Sequence, residues 1–144
     1  MQKYLSKKTV AYISRIALFI IFFWFGLIKI LGLSPAEELV KQLYSITLSK
    51  SNIFTEESFV IFLGVVECGI GLLWLIPKLT KIAFTIFIVQ MFATFGPLVL
   101  LPDITWDAMF VPSMEGQYII KNIALIAVAL NLLKGDTKSN TLVE

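Results

Sequence analysis

Residues 58–76 read SFVIFLGVVECGIGLLWLI, nineteen residues with one charge, Glu67, set among aliphatic and aromatic side chains. A helix crosses a bilayer core with about 20 apolar residues at about 1.5 Å rise each. This stretch meets that requirement, and its central acid makes it unusual. Three further stretches read the same way: residues 10–31, 80–101 and 116–133. With apolar residues at 58%, charged residues at 15% and only 144 residues, the chain has more apolar surface than a globule of its size can hide. The expected fold is all-α: a single integral-membrane domain over residues 1–144, built as a four-helix bundle. The first stretch is too long in its apolar core, and lacks a small-residue cleavage site, to read as a signal peptide.

Charge sorts by connection. Lys3, Lys7 and Lys8 precede the first span, Lys78 and Lys81 join the second to the third, and Lys134 and Lys138 follow the fourth. The two other connections hold Lys41 and Lys50 beside Glu37, Glu38, Glu56, Glu57, Asp103, Asp107 and Glu115. The positive-inside rule puts both termini in the cytoplasm of a bacterial inner-membrane protein. The short Pro77-Lys78-Leu79 link makes spans two and three antiparallel neighbours.

In the first outer connection, Ser34-Pro35-Ala36-Glu37 has the form of a helix start. Leu39, Leu43 and Ile46 then follow at helical spacing. Residues 35–48 are expected to form a short amphipathic helix on the outer surface. Thr55 is the expected cap of span two. In the second outer connection, Trp106, Met109 and Phe110 read as an interfacial anchor or as a lid. Pro97 after Gly96 should kink span three, and residues 135–144 read as a polar tail.

The absence of histidine and the single cysteine, Cys68, exclude a bis-histidine haem, a histidine zinc site, an intrachain disulfide and a Cys-x-x-Cys pair. A net charge of +2 without a basic run gives no footprint for nucleic acid. No catalytic set and no metal site is visible.

Apart from Lys81 at the very start of the third, four charges fall in or at the edges of the spans: Arg15, Lys29, Glu67 and Lys121. Each costs about 2.5–3.5 kcal/mol at the bilayer centre unless it reaches the interface or a partner. Arg15 lies within snorkelling reach of the inner surface, and Lys121 of the outer. Glu67 lies about 13 Å from either end of its span, beyond the reach of its side chain. It must be protonated or paired. Helical side chains lean toward the helix N-terminus, so Glu67 leans outward, Lys29 leans inward, and the two converge. A Lys29–Glu67 pair satisfies both, with Lys121 able to approach less directly.

Gly64, Cys68 and Gly71 share the Glu67 side of span two, and small residues there admit a neighbouring helix. Arg15, Phe22, Gly26 and Lys29 lie within about 40° of one line on span one. These two faces are expected to meet. Gln90 and Asn122 line the same interior or serve as hydrogen-bonded helix glue. Cys68 reads as a packing residue. Such an interior admits three uses: a structural pair that sets helix register, a site for a quinone-like carbonyl compound, or a transport site in which Glu67 exchanges a proton for a cation.

Arg15-Ile-Ala-Leu, Phe23-Trp-Phe-Gly-Leu-Ile-Lys29, Glu67-Cys-Gly-Ile-Gly71 and Gly116-Gln-Tyr-Ile-Ile-Lys-Asn122 resemble, in span order, the DoxX-like family of small four-span bacterial membrane proteins. The chain is also similar to the related membrane family of reactive-chlorine resistance. The resemblance implies that Arg15, Gly26, Lys29, Glu67 and Lys121 form a shared centre. One branch is similar to a subunit of a thiosulfate:quinone oxidoreductase, and others are linked to oxidative-stress defence. With one cysteine, sulfur chemistry by this chain alone is not expected. The expected function is an accessory, non-catalytic subunit of an inner-membrane redox or stress complex, with Lys29, Glu67 and Lys121 as a candidate site for a quinone-like ligand. Its partners would be the lipid bilayer and either another membrane protein or further copies of itself. A small oligomeric transporter with Glu67 as coupling acid, and a membrane scaffold, are the alternatives.

Overall fold

The computed structural model describes residues 6–51 and 53–140, with 136–140 by backbone alone. Lys3 and the end of the tail, residues 141–144, lie outside the described residues. The chain runs α1 (Lys7–Ile30), α2 (Glu37–Thr47), α3 (Glu56–Trp74), α4 (Thr80–Phe95), α5 (Pro97–Leu100), α6 (Pro102–Thr105), β1 (Trp106–Ala108), β2 (Val111–Pro112) and α7 (Met114–Asn140). Four segments are long and apolar enough to cross a membrane: Lys7–Ile30, Glu56–Trp74, Pro77–Leu100 and Met114–Gly135.

α1 begins on Ser6, whose hydroxyl accepts the Thr9 N–H. It ends where Gly32, at φ +66°, turns the chain and Leu33 N–H reaches back to the Ile28 carbonyl at 2.8 Å. α3 begins on Thr55, as its sequence implies, and Ser58 completes a capping box. A 3-10 turn at Pro77–Leu79 returns the chain into α4. As its sequence implies, α4 breaks at Gly96, and Pro97 opens α5.

α1 lies antiparallel along α3. Arg15 meets Trp74, Gly71 meets Phe19 and Phe23, and Gly26 meets Gly64 and Cys68. The glycines set how close the helices come. A Cβ on Gly26 would stand 2.6 Å from the Gly64 carbonyl oxygen, and one on Gly64 would stand 2.7 Å from the Gly26 carbonyl oxygen. α4 and α7 pack against this pair. The main core, with Leu18, Phe22, Ile70, Trp74, Phe87 and Leu132, fills the end of the bundle nearest the α3–α4 turn. Phe87 stands edge-on to Phe22 and Trp74, with centroids at 5.4 and 5.8 Å. The outer faces stay apolar and exposed, with Trp24 at 65% and Phe92 at 77%.

Several expectations are corrected. Among the described residues the helices are interrupted by one hairpin, β1–β2, between α6 and α7. The surface helix starts at Glu37, because Ser34 to Ala36 form a turn in which the Ser34 hydroxyl accepts the Ala36 N–H at 3.2 Å. Glu37 then bonds Lys41 at 2.8 Å, and this hydrogen bond raises the Lys41 pKa. α2 docks on α3 through buried Tyr44, which stacks on Phe59 and donates to the Phe54 carbonyl, while Ile46 faces outward. α7 does not stop near residue 133; its backbone stays helical to Asn140. Gly135 has open space around it and does not end the helix.

Glycine-to-alanine changes should therefore invert their ordinary sign at the crossing. In an open helix position the change stabilises by about 1 kcal/mol. Gly26→Ala and Gly64→Ala should each lower the melting temperature in detergent. Gly69→Ala, with nothing within 4 Å of its Cβ, should leave it unchanged or raise it.

Candidate functional site

The Gly26–Gly64 contact brings the last turn of α1 against the middle of α3. Lys29 occupies that last turn, where a cation also meets the helix C-terminal carbonyls favourably. Its stem packs on Gly64: a Cβ there would lie 3.0 Å from Lys29 Cβ. One α3 turn further along, Glu67 receives the ammonium. Lys29 Nζ donates to Glu67 Oε2 at 2.7 Å, and the two side chains are 9% and 12% exposed. From α4, Gln90 Nε2 donates to Glu67 Oε1 at 3.2 Å. Both carboxyl oxygens thus have a donor, one charged and one neutral, from two different helices.

Cys68 sits beside the pair, with Sγ 3.5 Å from the Phe23 carbonyl oxygen and against Gly26, as a packing residue would. Gly71 carries the same close contact one turn on, where a Cβ would meet Phe23 N at 2.9 Å.

The structure does not bring the other sequence-derived residues here. Lys121 is exposed on α7, with Nζ 5.5 Å from the Tyr118 ring centroid, and does not reach Glu67. Its helix is rotated so that Ile119 faces inward instead. Asn122 is half-buried and takes no part in the Glu67 hydrogen bonds. Arg15 lies about 21 Å along α1 from Lys29 at the helical rise. It is not a snorkelling anchor. It is 5% exposed and donates to the Trp74 carbonyl at 2.9 Å and to Thr80 Oγ1 at 2.7 Å.

Sequence reasoning missed Trp74 and Thr80 as the partners of Arg15. Thr80 follows the Pro77 turn and also donates to the Pro77 carbonyl at 2.8 Å, so its position at a helix start was the available signal.

What the arrangement can do chemically follows from its hydrogen bonds. The Lys29 ammonium has three donors. Among the described residues, Glu67 is its one acceptor. The Gln90 carboxamide oxygen accepts no hydrogen bond among them. Lys29 and Gln90 are 7% and 8% exposed. The centre therefore keeps hydrogen-bonding capacity that the described residues do not use.

Removing one partner of a buried pair costs about 3–5 kcal/mol, because the other charge stays behind; removing both costs much less. Lys29→Met and Glu67→Gln should each destabilise the detergent-extracted chain on that scale. The double variant should be more stable than the sum of the single losses by more than about 1 kcal/mol. Unfolding curves that simply add would contradict the pair. Compared with known protein families, curated proteins and solved structures, the chain matches none.

Proposed function

We propose that this chain is a multi-pass protein of the bacterial inner membrane, with both termini cytoplasmic. In this reading it is an accessory, non-catalytic subunit of a redox or oxidative-stress complex. Its Lys29–Glu67–Gln90 centre holds a quinone-like carbonyl compound drawn from the bilayer. The lysine-rich terminal end and acid-rich loop end of the chain support the orientation. The resemblance of its span motifs to the DoxX-like family supports the membrane redox setting.

One observation carries the ligand. A buried ammonium keeps donors beyond the one that Glu67 takes, and the amide that bonds the other Glu67 oxygen has an oxygen without a donor among the described residues. Unmatched hydrogen-bonding groups in an apolar layer are costly, and a carbonyl oxygen against Lys29 removes that cost. A quinone fits because it is apolar enough to enter from lipid and carries such oxygens. Glu67 holds the Lys29 amine aimed into the bundle.

Two measurements test this reading. In spheroplasts carrying Cys68→Ala, a membrane-impermeant maleimide should label Asp107→Cys directly, and Lys81→Cys only after permeabilisation. The reverse pattern would invert the orientation. Mass spectrometry of the chain extracted in lipid–polymer particles should find a co-purifying quinone. In the Lys29→Met/Glu67→Gln double variant it should fall about tenfold, equivalent to about 1.4 kcal/mol. A wild-type chain without a lipid-soluble carbonyl compound, or equal amounts in both, would overturn the ligand.

A further inference from the structure

The hairpin between α6 and α7 is built rigidly at its base and left apolar at its tip. Thr105 is fully buried and donates to the Leu101 carbonyl at 3.0 Å. Trp106 Nε1 donates to the Leu98 carbonyl at 2.9 Å, and Ser113 N–H bonds the Thr105 carbonyl at 3.0 Å. Gly116 closes the base so tightly that a Cβ would lie 2.1 Å from the Thr105 oxygen. At the tip, Met109 is 86% exposed and Phe110 88% exposed. Phe110 stands at φ +60°, in the left-handed region, at the second position of the two-residue turn between β1 and β2. Between base and tip lies an open cavity of about 450 Å³, lined by Pro102, Asp103, Trp106, Ala108, Met109 and Phe110.

The lining is apolar and aromatic except for one charge, Asp103, which has no ion pair or hydrogen bond to a described side chain. A carboxylate beside aromatic rings is the chemistry that takes an organic ammonium. The neighbouring acids Asp107 and Glu115 disfavour an anionic group. The exposed apolar ends of α5 and α7, with Val99, Leu100 and Met114, flank the same hairpin. We infer that this cavity binds the ammonium headgroup of a zwitterionic phospholipid, with Met109 and Phe110 inserted among its acyl chains. The inference rests on the membrane placement proposed above, and not on the quinone.

The test uses the full chain in mild detergent with equimolar dioleoyl phosphatidylethanolamine and dioleoyl phosphatidylglycerol, read by native mass spectrometry. The wild type should retain the ethanolamine lipid over the glycerol lipid by at least about threefold. Asp103→Asn should abolish retention of the ethanolamine lipid over the glycerol lipid, whereas Asp107→Asn, outside the cavity lining, should keep most of it and lose only the repulsion its own charge adds. Phe110→Gly relieves the backbone, so it should fold at least as well and yet retain less of either lipid. In vesicles, an environment-sensitive label on Met109→Cys in a Cys68→Ala background should be quenched by spin-labelled lipid. Equal retention of both lipids, or a preference that survives Asp103→Asn, would overturn the inference. So would a label that lipid does not quench but that a second protein shields. Resistance of the same membranes to carbonate extraction reports the membrane placement separately, so failure of the lipid site and failure of the placement are distinguishable.

Discussion

A carboxylate inside an apolar bundle has lost its water and must recover those hydrogen bonds from its neighbours. Glu67 recovers them from Lys29 on α1 and Gln90 on α4. Each contact constrains a helix. Lys29 reaches the acid because α1 ends one residue later, its ammonium leans back into the bundle, and Gly26 and Gly64 remove the side chains that would hold α1 away from α3. At the opposite end, Arg15 holds the end of α3 and the start of α4 through the Trp74 carbonyl and Thr80. α1 is thus joined to α3 by a charged group near each end and by small residues between. A slip of one helical turn, about 5.4 Å, would break the Lys29–Glu67 ion pair and the Arg15 hydrogen bonds together.

This division of labour leaves the two ends of the bundle with different characters. The end near the α3–α4 turn holds the dense aromatic core around Trp74 and Phe87, with Arg15 against it. The middle holds the polar centre, and the other end the docked α2 helix and the clamped hairpin. Packing at the first end supplies rigidity; among the described residues it also holds the one fully buried side-chain polar atom without a hydrogen bond, Trp74 Nε1.

The four spans were legible because hydropathy reports a property summed over some twenty residues, which local errors barely disturb. The Lys29–Glu67 approach was legible too, because the cost of a stranded acid and the direction of helical side chains leave few solutions. Lys121 and Arg15 were not. Near a helix end, turning inward and turning out to the surface differ by the rotation of the helix about its axis, which packing sets. α7 turns Lys121 out beside Tyr118, and α1 turns Arg15 in against Trp74. The hairpin was hidden because its turn is made by Met109 and Phe110, with the positive φ on a residue type that does not announce it. The start of α2 moved because Pro35 and Ala36 were taken up in a turn. The tail misled because a run of polar residues loses the hydropathy signal without losing the helix, which continues to Asn140.

The most direct test of the central contact is a dipolar-coupling measurement by solid-state NMR in lipid bilayers. Lysine would carry 15N at Nζ and glutamate 13C at Cδ, in a Glu37→Gln chain so that the exposed Lys41–Glu37 pair is silent. An Nζ–Oε2 distance of 2.7 Å requires strong dephasing of one carboxyl signal, lost on Lys29→Met. A spectrum with no such dephased carboxyl, or one that survives removal of Lys29, would contradict the account.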